Sequence, residues 1–176
     1  MHGFIKKIFE KSFLIMSFAK RELKTKRRWG LLQASVAMAV CIAIIGKDNA
    51  PLYISIANID KELDMQYRVH AALDVVEEKC QFINKATPES KELYLGMLYS
   101  TEAHKIYGFI TNTKIKFILV MDSENVALRE NEVRAMFRNL HILYTDVVCN
   151  PIFLPGEPII SRKFDRAVQK LMSGNT

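Results

Sequence analysis

Three apolar runs, 93–99, 105–110 and 115–121, follow one another across gaps too short for a crossover helix. Such spacing fits an antiparallel meander. In the last run Phe117, Leu119 and Met121 point one way while Ile118 and Val120 point the other, so neither face can be left in water. Antiparallel sheets normally alternate apolar and polar positions, and burial on both sides therefore requires helices against each face. Segment 38–45 repeats the pattern, with Val40, Ile42 and Ile44 opposed to Cys41, Ala43 and Ile45. A turn over 46–51 then brings 52–56 back as a second antiparallel strand.

Between the two sheet segments, Met65, Val69, Leu73, Val76, Cys80 and Ile83 recur at helical spacing within 61–86, and Thr87-Pro88 ends the run. Asp64, Arg68, Glu77, Lys79 and Lys85 are expected to face water from the other side of this helix. After the meander, Val133, Met136, Phe137, Leu140 and Leu143 form a second helical stripe, capped by Asn131 or starting a turn earlier. Pro151, Pro155, Gly156 and Pro158 make 150–158 an extended loop. Ser161 caps a short final helix whose Phe164, Val168 and Leu171 reach the sheet beside the preceding helix. The expected fold is α+β, a five-stranded antiparallel sheet with one helix on one face and two on the other, in the order β-β-α-β-β-β-α-α.

Charge divides the chain in two. Residues 1–37 hold nine Lys/Arg against two acids, while the remaining 139 hold sixteen basic and seventeen acidic side chains, so the net +6 belongs to the leading segment. A nearly neutral folded part argues against a nucleic-acid module, which needs clustered bases on the fold itself. Residues 1–37 are read as a basic, poorly ordered extension and 38–173 as the domain. Another reading stays open: the cluster Lys24–Arg28 followed by apolar 29–46 resembles a signal anchor, although eighteen residues reach only about 27 Å of a roughly 30 Å core. The strand is preferred because a span would take a member from the sheet.

No catalytic constellation emerges. The four histidines lack a spaced nucleophile or metal partner, the seven glycines do not cluster, and Cys41, Cys80 and Cys149 show no zinc-ligand spacing. No catalytic, cofactor-binding or metal-binding residue is assigned, and no cofactor is expected. The surplus of large rings, Tyr94, Tyr99, Tyr107, Phe109, Tyr144 and Phe153, points instead to a binding protein with rings at a sheet rim or helix groove. Candidate partner-facing residues are Asp74, next to Leu73 at the margin of the first helical stripe, its helix neighbours His70 and Glu77, and the rings Tyr94 and Phe153.

From Met38 onward the chain resembles the sedlin-related small subunits of the transport protein particle (TRAPP) tethering complex. The resemblance rests on MAVCIAIIGKDNAPLYI at 38–54, LDVVEEK at 73–79, ELYLGMLY at 92–99, YGFITNTKIKFILVMDSENVALRENEVRAMFRNLH at 107–141, YTDVVCNP at 144–151 and SRKFD at 161–165. It implies a longin-like fold and a non-enzymatic adaptor of a vesicle tether acting between endoplasmic reticulum and Golgi. It further implies other small TRAPP subunits as partners, a Rab GTPase engaged indirectly through the whole complex, and a cytoplasmic location peripheral to those membranes. By the same resemblance Asp74 is partner-facing or structurally critical. The chain departs from the family in residues 1–37 and in Ile152-Phe153-Leu154, which is more apolar than the usual filling after Asn-Pro.

Overall fold

The computed structural model describes residues 39–85, 93–123 and 129–174, with the side chains of 82–85 excepted. The leading extension, the Thr87-Pro88 stop, and the side chains of Ile83 and Lys85 lie outside the described residues. Strands β1 (Cys41–Ile45) and β2 (Pro51–Ile56) lead through a 3-10 turn (Ile59–Lys61) into the long helix α1 (Glu62–Lys85). The meander β3 (Tyr94–Ser100), β4 (His104–Ile110) and β5 (Lys116–Asp122) follows, then α2 (Glu130–Val148) and α3 (Arg162–Met172). The strand order is β2-β1-β5-β4-β3, with every neighbouring pair antiparallel. This is the expected α+β arrangement in the expected element order.

Two-sided burial is observed in β5. Phe117, Leu119 and Met121 pack with Ile42 and Ile44 under α2 and α3, while Ile118 and Val120 pack with Cys41, Ala43 and Ile45 under α1. Val40 departs from its expected side and lies against the α1 cluster. Its N–H donates to the Val120 carbonyl at 2.8 Å, and Val120 also stands opposite Cys41, so Val40 and Cys41 share one partner and the alternation breaks there. Because β1 is paired to β2 on one side and β5 on the other, the reading of 29–46 as a membrane span fails over its last residues. No helix among the described residues is long and apolar enough to cross a membrane.

Helix starts follow local chemistry. Ser161 caps α3 by accepting from the Phe164 N–H at 3.4 Å. In α2, Arg129 rather than Asn131 stands at the cap. Arginine has no acceptor to offer, so the cap closes from within the helix, with the Glu132 carboxylate accepting from the Arg129 N–H at 3.0 Å.

Both sheet edges are blunted. On β2, the Ile159 N–H from the loop before α3 donates to the Leu52 carbonyl at 2.8 Å. On β3, irregular pairing accompanies Lys79, whose ammonium donates to the carbonyls of Leu95 at 3.0 Å and Met97 at 2.7 Å. Lys79 is therefore a clamp between α1 and the sheet rather than the solvated charge expected. Arg68 is likewise engaged, donating to Thr101 Oγ1 at 3.1 Å while its carbonyl accepts from Tyr99 Oη at 2.8 Å. A bulged and capped edge offers a poor template for an added strand.

Candidate functional site

The described residues hold no group of three His, Cys, Asp or Glu able to bind a metal ion. Of the described histidines, His70 is exposed on α1, His104 is buried under it, and His141 lies against the stacked rings of Phe109 and Phe117. Burial pushes the Cys41 thiol up to about 12 and also raises that of Cys80, the reverse of what an attacking thiolate requires.

The surplus rings are taken up by the fold. Tyr94 is a core residue whose ring lies 5.8 Å from Phe137 and 4.3 Å beneath the Arg134 guanidinium. Tyr107, Phe109, Tyr144 and Phe153 are half-buried against the same cluster. The expectation of rings displayed at a rim or groove is thus corrected, because two helices laid side by side leave a wedge above the sheet that planar side chains fill. Tyr94 offers no broad surface to a partner, and at Phe153 it is the flanking Ile152 and Leu154 that are exposed.

A second exposed apolar surface runs along the back of α1. At about 100° per residue, Leu63, Tyr67, His70, Asp74 and Glu77 fall within about 40° of one line running the length of the helix. All five are exposed, Leu63 at 80% and Tyr67 at 72%. Met65, Val69, Ala72, Leu73 and Val76 form the opposite, buried arc. Asp74 is therefore not at the margin of the buried stripe, since one step from Leu73 carries it to the outer line. Glu77 is partly committed inward, because its carboxylate accepts from Asn49 Nδ2 at 2.8 Å and the buried Lys116 ammonium donates to Asn49 Oδ1. Three candidate residues, His70, Asp74 and Glu77, thus share one helix back, while Tyr94 and Phe153 belong to the opposite face of the sheet. Leu63 and Tyr67 were missed as interface candidates. Their spacing to His70 and Asp74, four then three then four, was the available signal.

A thin antiparallel sheet clad by helices on both sides, in this element order, defines a longin-like fold. The chain belongs to the sedlin family, whose model, described as Sedlin, matches residues 44–174. It is similar to the trafficking protein particle complex subunit 2-like protein of Rattus norvegicus, with 55% identity over 77% of this chain and 97% of that protein. The protein of the same name from Xenopus tropicalis is 53% identical over the same shares. That from Dictyostelium discoideum is 38% identical over 76% of this chain and 95% of its own length.

Proposed function

We propose that the domain beginning at Met38 is a non-enzymatic assembly subunit of a transport protein particle tether, and that it binds a neighbouring small subunit through the back of α1. The relatives' names, which describe complex subunits, support the first part. The observation that carries the second is the exposed line of Leu63, Tyr67, His70 and Asp74. An aromatic and a leucine in water beside an acid are the ingredients of an interface anchor with a polar rim. In this reading the subunit acts between endoplasmic reticulum and Golgi, on the cytoplasmic side, and supports Rab nucleotide exchange only as part of the complex.

Affinity capture from cell extract tests this. The wild-type chain should bring down other small tethering subunits, and Asp74→Tyr or the pair Leu63→Ala with Tyr67→Ala should reduce capture about tenfold or more. Because these side chains are exposed, the melting transition should move by no more than about 0.5 kcal/mol equivalent. A loss of capture matched by an equal loss of stability would make the α1 line a folding feature. Capture of no such subunit by the wild type would reject the assembly role.

A further inference from the structure

We propose that the loop joining α2 to α3, together with the outer face of α3, is a contact surface for an anionic lipid bilayer. This proposal is independent of the partner on α1, which packs on the opposite face of the sheet. The loop exposes Ile152 at 86%, Leu154 at 69% and Ile160 at 82%, among the most exposed large hydrophobic side chains described.

These side chains are held out by a fixed backbone. Phe153 packs on the core and donates its N–H to the Asn150 carbonyl at 2.9 Å. The Ile152 N–H meets Asn150 Oδ1 at 3.1 Å, the Glu157 N–H meets the Leu154 carbonyl at 3.2 Å, and buried Ile159 is bonded to β2. Pro151, Pro155 and Pro158 restrict what remains. Ile160 leads directly into α3, whose outer surface carries Arg162, Lys163, Arg166 and Lys170, all exposed. The acid on that helix, Asp165, accepts a hydrogen bond from Tyr53 Oη at 2.9 Å and so lies against the sheet. Glu157 and Asp146 are the exposed acids nearest along the chain.

Exposed aliphatic side chains bordered by a row of bases match an acyl boundary under acidic headgroups, where apolar insertion and charge attraction add. A protein partner is a poorer fit, since no large ring stands exposed among them to act as an anchor.

The test uses the full chain with Cys80→Ala, Cys149→Ser and Leu154→Cys, labelled at residue 154 with an environment-sensitive nitrobenzoxadiazole dye. Vesicles of phosphatidylcholine with about 30% phosphatidylserine should raise its emission several-fold, while phosphatidylcholine alone and soluble glycerophosphoserine should not. Lys163→Gln and Arg166→Gln should each raise the half-saturating lipid concentration about five-fold, with the melting transition unchanged. Residues 1–37 are themselves basic, so co-sedimentation alone does not decide the matter. Vesicle binding with no change at residue 154 would overturn the proposal, as would a change elicited by purified tethering subunits and not by vesicles.

Discussion

Under α2 and α3 the sheet is filled with rings, and under α1 with aliphatic side chains. Phe109 stacks on Phe117 at 5.8 Å and on Phe137 at 5.6 Å, Tyr144 meets Phe117 edge-on at 5.6 Å, and Tyr53 meets Phe164 at 4.9 Å. Beneath α1 lie Cys41, Ala43, Ile45, Leu95, Leu98, Ile106, Ile118 and Val120. Gly108 belongs to this second arrangement, since a Cβ there would stand 2.9 Å from the Leu98 side chain. A pair of helices divides the space above a sheet and needs bulk between them, whereas one long helix settles close and needs small or flexible neighbours. The difference also decides what is exposed: a lone helix keeps its whole back in water, and α1 is where exposed Leu63 and Tyr67 line up with His70 and Asp74.

The largest expected effect breaks the ring-filled face. Phe137 is fully buried and in ring contact with both Tyr94 and Phe109, so Phe137→Ala should cost about 3–5 kcal/mol. Val69→Ala, at an equally buried position on the inner face of α1, should cost about 1.5–3 kcal/mol. Urea denaturation measures both, and equal costs would mean that the rings confer no special hold on the two-helix side.

Lys79→Met sharpens the contrast at the sheet edge. Removing the ammonium uncaps the Leu95 and Met97 carbonyls and should cost about 1–2 kcal/mol, less than a buried pair because the site is partly exposed. The opened β3 edge should also show concentration-dependent self-association in light scattering. A monodisperse variant of unchanged stability would show that the bulges alone protect the edge.

The strands and helices were legible because double-sided apolar runs and helical stripes are local signals, readable around Phe117–Met121 or Val133–Leu140 without knowing what they touch. The candidate surface was only half legible. His70, Asp74 and Glu77 were assigned to α1, and only the four-three-four spacing links Leu63 and Tyr67 to them, a weak signal because core residues share that period. Tyr94 and Phe153 misled for the converse reason, since a ring is apolar enough for a core and large enough for an interface, and only the wedge between two helices decides. Lys79 and Lys116 look like solvated charges until partners distant in sequence, Leu95, Met97 and Asn49, are brought to them.

The smallest expected effect lies under α1, where His104 is a buried titratable group beside the aliphatic layer. Its Nδ1 has no hydrogen-bond partner among the described residues. Burial lowers its pKa, Arg68 and Lys61 push the same way, and Asp122 on β5 and Asp64 on α1 oppose them. The folded state thus holds His104 neutral where the unfolded chain would already bind a proton. Stability from this residue is present above the ordinary histidine value, about 6.5, and is lost as pH falls toward the depressed folded value. Melting temperatures should therefore drop between about pH 7.5 and 5.5, and His104→Gln should flatten that slope more than His141→Gln on the ring-filled face. An unchanged slope in His104→Gln would place the acid-sensitive group elsewhere in the fold.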